Sequence, residues 1–219
     1  MDSHTNQVIV LSGGEPIAID RDFDLPEDAY VIAADSGLHH AATLGLAVDL
    51  VIGDMDSVNS DVLDDAIRNG SSIQRHPADK DHTDLELAFS AALDAGAERI
   101  LVVGSHAGRL DHLLGSMGLL AATAQLVAEI VWTDGHTNVT ACTPRHAATI
   151  VGRPGDRLSL LPTGCDVGGV TTDGLRWRLD GETLPAGSTR GVSNVMAAPL
   201  ASITVDKGTL LIVHERTRP

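Results

Sequence analysis

Residues 50–56 read Leu50-Val51-Ile52-Gly53-Asp54-Met55-Asp56: an apolar run, a glycine, and two carboxylates one residue apart. Short β-branched apolar runs that alternate with Ala/Leu-rich stretches at helical spacing are the pattern of a parallel sheet covered by helices. Leu50–Gly53 is one such strand, and Tyr30–Ala34, which stops at Asp35, is another. Further strands are expected at Gln7–Leu11, Ser72–Arg75, Arg99–Val103 and Glu129–Trp132. Helices fit between them at Gly37–Leu44, Asp61–Arg68, Asp84–Ala95 and Leu110–Leu126. Thr83, with Glu86 three residues on, resembles a capping box for the third of these.

From about Asn138 the pattern changes to short alternating segments punctuated by Gly, Pro and Asp, without a helical period. That reads as antiparallel β, with strands expected at Val139–Thr143, Ala148–Val151, Arg157–Pro162, Asp166–Thr171, Leu175–Leu179 and Ile203–Val213. Lys207-Gly208 is expected to turn the chain within the last. A boundary near Asp134–Asn138 then divides an α/β domain, residues 1–134, from a smaller β domain, residues 138–219. No internal repeat or low-complexity tract interrupts either part.

With 219 residues, 43% of them hydrophobic, the chain can bury a real core. Acidic residues outnumber basic ones 30 to 15, and the resulting charge of −15 repels nucleic acid and anionic membranes. No apolar run reaches the roughly 18 residues of a membrane span, and the first residues lack a signal-type pattern, so a cytoplasmic protein is expected. Cys142 and Cys165 lack metal-type spacing and read as ordinary thiols.

The acidic residues are not spread evenly. Asp35 follows one expected strand, and Asp54 and Asp56 follow another, so three carboxylates leave the same edge of the sheet. Ligands of open α/β sheets sit beyond the carboxyl ends of the strands. Carboxylates gathered there repel one another unless a cation lies among them, and hard oxygen donors suit magnesium completed by substrate phosphates. The alternative for each Asp taken singly is a turn or a helix cap.

Asp79-Lys80-Asp81-His82-Thr83-Asp84 puts more acids and one base at the start of a helix, whose free N–H groups favour anions. Asp84 can reach a metal from the first turn, and Lys80 reads equally well as a phosphate contact or a solvated side chain. Gly104-Ser105-His106-Ala107-Gly108-Arg109-Leu110-Asp111-His112 is again a strand end opening into a helix. Arg109 offers a planar fork for phosphate, and Asp111 could orient it. Ser12-Gly13-Gly14 adds a weak phosphate signal on the same edge, and the chain has no G-x-x-x-x-G-K-[ST] motif.

Taken in order, Ala34-Asp35-Ser36-Gly37, Ile52 to Ser57, Lys80 to Glu86, Gly108 to His112, Gly174-Leu175-Arg176-Trp177 and Gly191-Val192-Ser193-Asn194 resemble the thiamine pyrophosphokinase family. The resemblance covers nearly the whole chain. It implies a Rossmann-like α/β domain that binds ATP and magnesium, a β-sandwich domain that contributes to thiamine binding, and a homodimer with active sites shared between subunits. It implies Asp35, Asp54, Asp56 and Asp84 as the metal carboxylates, and the same four with Arg109 and Asp111 as the catalytic set. Lys80, Asp81, Ser57, Gly108, Arg109 and Asp111 would lie along the ATP polyphosphate, and Trp177, Ser193 and Asn194 at the thiamine. Departures from the family pattern stand at Ser36, Val48, Ser116 and Val195.

An aromatic face at Trp177 suits the thiazolium cation of thiamine, whereas Trp132, ending an apolar strand, reads as core. The implied reaction transfers pyrophosphate from ATP to the thiamine hydroxyl and releases AMP. The residues do not single out a general base among the carboxylates. Two other readings are a magnesium-dependent hydrolase of nucleotides or thiamine phosphates, and a noncatalytic thiamine or nucleotide sensor.

Overall fold

The apolar runs that stop at acidic residues are buried parallel strands in the computed structural model, which describes residues 6–17 and 25–217. β1 (Gln7–Leu11), β2 (Tyr30–Ala34), β3 (Leu50–Gly53), β4 (Ser72–Arg75) and β5 (Arg99–Val103) follow the spatial order β4-β3-β2-β1-β5, each pair parallel. Ile9, Leu11, Ile32, Ala33 and Val51 are fully enclosed, as strands covered on both faces must be. Strand succession runs outward from β1 to β4 and then crosses to β5 on the other side of β1, so connections diverge there and the carboxyl ends of the strands open on one edge.

The helices start where the residues supply caps. Asp35–Gly37 forms a 3₁₀ turn, so α1 (Leu38–Leu44) begins one residue later than the sequence suggests. α2 (Ser60–Arg68) is capped by the Asn59 side chain, which accepts from the Asp61 amide at 2.8 Å. α3 (Asp84–Asp94) is capped by Thr83, whose hydroxyl accepts from the Glu86 amide at 3.2 Å, one half of the expected capping box. α4 (Leu110–Thr123) stops short of Leu126. Gln125 and Leu126 turn their amides to Ala122 and Thr123, tightening the last turn to i→i+3 bonds and ending the helix.

The chain divides into two compact units: the described residues up to Ser116 with Trp132–Gly135, and Met117–Val131 with the residues from His136 onward. Met117–Val131, expected with the α/β part, thus belongs by its contacts to the second unit. Thr140 Oγ1 donates to the Ile130 carbonyl at 2.7 Å, and Gln125 to the Thr209 hydroxyl at 2.5 Å. Most of the acidic excess falls in the first unit, while basic and acidic residues nearly balance in the second.

The second unit is antiparallel. β6 (Glu129–Thr133) is followed by β7 (Thr137–Cys142), β8 (Ala148–Val151), β9 (Arg157–Asp173), β10 (Glu182–Leu184), β11 (Asn194–Val195), β12 (Leu200–Thr204) and β13 (Lys207–Glu215). β13 lies between β7 and β9, while β9 also pairs with β10, β11 and β12, and β12 with β8. Leu158, Leu160, Val167, Val170, Leu184, Ile203, Leu210 and Ile212 close one core.

Four β expectations are corrected. The two strands read at Arg157–Pro162 and Asp166–Thr171 are one 17-residue strand: Gly164, at φ 77°, leaves the extended conformation without ending the strand, and the register shift opposite Lys207–Thr209 absorbs the irregularity. Ile203–Val213 divides into β12 and β13, with the turn at Val205-Asp206, so Lys207 and Gly208 already belong to β13. Leu175–Leu179 is no strand. Gly174, at φ 75°, turns the chain, Leu175 makes a single bridge to Met196, and Arg176, Trp177 and Arg178 all face solvent. β10 and β11 have only three and two residues and carry no alternation by which to see them.

A buried polar knot closes this unit. The Asp156 carboxylate accepts from the Arg153 amide and from both the amide and hydroxyl of Thr217, and it pairs with His214 Nε2 at 3.0 Å. Asp156 and His214 are 2% and 1% exposed. Burial alone would raise the Asp156 pKa, but these donors outweigh it and hold the carboxyl well below the usual range. Among the described residues no helix is long and apolar enough to cross a membrane.

Candidate active site

Asp35 leaves the end of β2 and Asp54 and Asp56 the end of β3, all from one edge of the sheet. Each of the three offers an oxygen within 4.8 Å of the others. The backbone bends to achieve this: Asp35 (φ 48°) and Met55 (φ 67°) both adopt left-handed conformations that cost a non-glycine residue energy. Gly53, at φ 145°, is required twice over, by its conformation and because a Cβ there would stand 2.9 Å from Asp84 Oδ1 and 3.1 Å from Asp35 Cβ. Asp84, at the first turn of α3, thus points its carboxylate at the end of β3.

Asp54 both closes a turn and belongs to the cluster. Its Oδ1 accepts from the Asp56 amide at 3.1 Å, and Lys80 Nζ donates to its Oδ2 at 3.2 Å. Lys80 Nζ also lies 3.0 Å from Asp84 Oδ1, within ion-pair distance. The Asp56 amide, aided by Lys80 and opposed by burial, lowers the Asp54 pKa, whereas the charge of Asp54 raises that of Asp56. Burial would depress the Lys80 ammonium, but Asp84 and Asp54 outweigh it and hold the pKa above its ordinary value. The Ser57 hydroxyl donates to Asp35 Oδ2, yet Asp35 Oδ1 is buried with no hydrogen-bond partner. A buried carboxylate oxygen without a donor, among carboxylates that repel each other, fits a divalent cation, and an all-oxygen donor set fits magnesium.

Arg109 and Asp111, at the start of α4, hold each other. Arg109 Nε lies 3.2 Å from Asp111 Oδ1 and Nη2 2.6 Å from Oδ2, a two-point pairing at the surface. The pairing lowers the Asp111 pKa and raises that of Arg109. Gly108 beside them is exposed, as is Asp81 on the loop before α3. The guanidinium is therefore paired with Asp111 rather than with the acidic set.

In the second unit, Trp177, Ser193 and Asn194 come together. Asn194 is 5% exposed, and its amide makes three hydrogen bonds: Oδ1 accepts from the Trp177 and Val195 amides, and Nδ2 donates to the Trp177 carbonyl at 2.8 Å. Asn194 thus positions Trp177, which is 54% exposed. Ser193, in a left-handed conformation at φ 62°, donates its amide to Ser159 Oγ at 3.0 Å and is exposed.

Two family models match this chain. Residues 25–132 match the thiamin pyrophosphokinase catalytic domain, and residues 147–210 match the thiamin pyrophosphokinase vitamin B1 binding domain. The chain belongs to the thiamin pyrophosphokinase family. The thiamine pyrophosphokinase of Bacillus subtilis is 24% identical over 206 residues, covering 94% of this chain and 96% of that protein. Thiamine pyrophosphokinase 1 of Oryza sativa is 29% identical over 175 residues, which is 77% of this chain and 66% of the rice protein. The match to thiamine pyrophosphokinase 2 of Arabidopsis thaliana spans 63% of that relative. The crystal structure of the Bacillus subtilis thiamine pyrophosphokinase shares the fold, with a TM-score of 0.85 at 22% identity over 97% of this chain and all of that one. That of Geobacillus thermodenitrificans superposes with a TM-score of 0.81 at 26% identity, covering 96% and 98%.

The catalytic-domain match of the thiamin pyrophosphokinase family contains Asp35, Asp54, Asp56, Ser57, Lys80, Asp81, Asp84, Gly108, Arg109 and Asp111, and the vitamin B1 binding match contains Trp177, Ser193 and Asn194. Sequence reasoning left one pair unassigned in this family member. His106 Nδ1 lies 3.1 Å from Asp134 Oδ2, and its ring packs 5.3 Å from that of Trp132. Trp132, 4% exposed, donates to the Gly104 carbonyl at 2.9 Å, as a core tryptophan should. His106 and Asp134 are 28 residues apart, and no local motif joins them.

Proposed function

We propose that this chain is a thiamine diphosphokinase, transferring pyrophosphate from ATP to the hydroxyl of thiamine to give thiamine diphosphate and AMP. The observation that carries the reading is the convergence of Asp35, Asp54 and Asp56 with an unpartnered buried oxygen on Asp35, in a member of the thiamin pyrophosphokinase family. Asp35, Asp54, Asp56 and Asp84 would hold magnesium. Magnesium bound there would offset charge on the phosphoryl oxygens.

The side chains around it supply position. Lys80, kept cationic by Asp54 and Asp84, offers a point charge to the polyphosphate from within the acidic set. Arg109 brings a planar fork whose orientation Asp111 fixes, and Gly108, Ser57 and Asp81 would lie along the same polyphosphate. Asp56, whose proton affinity Asp54 raises, and Asp84 are the candidates to accept the hydroxyl proton of thiamine. Trp177, with its backbone pinned by Asn194, offers an aromatic face to thiamine beside Ser193. A cytoplasmic homodimer with active sites shared between subunits belongs to the same proposal.

The decisive assay incubates purified protein with ATP, magnesium and thiamine and identifies products by mass spectrometry. Thiamine diphosphate with AMP is expected. Thiamine monophosphate with ADP, or ATP loss that proceeds equally without thiamine, overturns the reading, the latter in favour of a hydrolase. Binding without any turnover would leave a sensor.

A further inference from the structure

Arg176, Trp177 and Arg178 stand exposed in a row between the buried Leu175 and Leu179. Three consecutive exposed residues do not fit a strand, and the turn survives because Asn194 bonds both the N–H and the carbonyl of Trp177. The ring is thus presented to solvent from a fixed backbone. Arg176 carries its guanidinium carbon to 5.0 Å from the centroid of that ring. A guanidinium over an indole is drawn to the negative π-face, so one face of Trp177 is already taken by a permanent cation.

A ligand that stacks on Trp177 meets the other face. A thiazolium there shares the ring with a second cation, whereas a phosphorylated tail beside the ring gains an attractive charge. We propose that Arg176 is a specificity-determining residue, making the Trp177 surface favour the anionic phosphate esters of thiamine over unphosphorylated, cationic thiamine. The inference rests on the reading of Trp177 as the thiamine-facing aromatic. It gives Arg176 a direct consequence for the reaction, since the cation is the substrate and the diphosphate ester the product.

The test measures dissociation constants of thiamine, thiamine monophosphate and thiamine diphosphate by calorimetry on the full chain, for wild type, Arg176→Gln, Arg178→Gln and Trp177→Ala. Arg178→Gln removes the same charge one residue beyond the ring and serves as the control. In Arg176→Gln the preference for the diphosphate over thiamine should fall about threefold to tenfold, the scale of one exposed charge and one cation–π contact. In Arg178→Gln it should stay within about twofold of wild type. An unchanged preference in Arg176→Gln, or an equal fall in both arginine variants, overturns the proposal while leaving Trp177 in the site. If Trp177→Ala keeps wild-type affinity for all three compounds, the underlying placement of thiamine on Trp177 fails as well.

Discussion

The Asp84 carboxylate fills the volume that a side chain at residue 53 would need: a Cβ on Gly53 would lie 2.9 Å from Asp84 Oδ1. The last residue of β3 and the first of α3, separated by 31 positions of chain, are thereby fitted to each other.

Gly53→Ala should harm both fold and function. The alanine would hold a strained φ of 145° and press Asp84 and Asp35 apart. A loss of roughly 1–3 kcal/mol in denaturant unfolding is expected, together with loss of magnesium-dependent turnover. A variant as stable and active as wild type would show that the acidic set does not depend on this close approach.

Asp54→Asn and Asp56→Asn should separate activity from stability. Turnover should drop on the order of a hundredfold or more, the scale of losing one preorganised electrostatic group. For Asp56→Asn the melting temperature should hold or rise, because the substitution removes repulsion from Asp54. Retained turnover with a collapsed fold would assign both residues to turn formation alone.

Arg109→Lys should lower kcat/KM on the order of tenfold to a hundredfold, since an ammonium cannot keep the two-point pairing with Asp111 or present a fork to phosphate. Steady-state kinetics with ATP as the varied substrate checks this. Near-normal values would remove Arg109 from the polyphosphate.

Acid should act through Asp156. Its folded pKa is depressed, so its contribution to stability is present above the unfolded value of about 3.9 and is lost as pH falls toward the lower folded one. Asp156→Asn should cost about 1–3 kcal/mol, because a single amide oxygen cannot accept from the Arg153 amide, Thr217 and His214 as the two carboxylate oxygens do. Melts between pH 7 and pH 3 should then show a smaller loss for the variant than for wild type. Parallel curves would place the acid sensitivity elsewhere.

Mixed dimers test the shared site. If Trp177 and the carboxylates of one active site come from different subunits, then Asp56→Asn and Trp177→Ala, each inactive alone, combine into dimers with one intact site. After random exchange about a quarter of wild-type activity should return. Verified exchange without recovery would place both residues in one chain's site or take Trp177 out of it.

β1, β2, β3 and β5 were readable because burial leaves almost wholly apolar runs, whereas β4, Ser-Ile-Gln-Arg at the exposed edge of the sheet, carries no such run; all five have the bounds expected of them. The acids at the ends of β2 and β3 were visible for the same reason: they are where those runs stop. The β region was harder. Gly164 looks like a turn residue, yet β9 runs through it with a bulge, and pairing with β13 about 50 residues away outweighs the local preference. At Leu175–Leu179 the alternation suggested a strand, and only the distant amide of Asn194 explains why the backbone turns out instead. The left-handed backbone at Met55 left no trace in residue type, and the His106–Asp134 pair joins two segments by tertiary contact alone.

The length of β9 sets the order in which the second unit can be made. Arg157 pairs with Glu215 and Leu161 with Leu211, while its other edge takes Asn194 and its far end the β12 strand. Until β13 has left the ribosome, β9 lacks the partner along most of its length, and its apolar side chains have no completed core to enter. The parallel strands of the first unit, by contrast, are all synthesised before β9 begins. During synthesis the core of the second unit therefore stays open for longer than that of the first, and in refolding from denaturant the amides of β9 and β13 should gain hydrogen-exchange protection later than those of β1, β2 and β5.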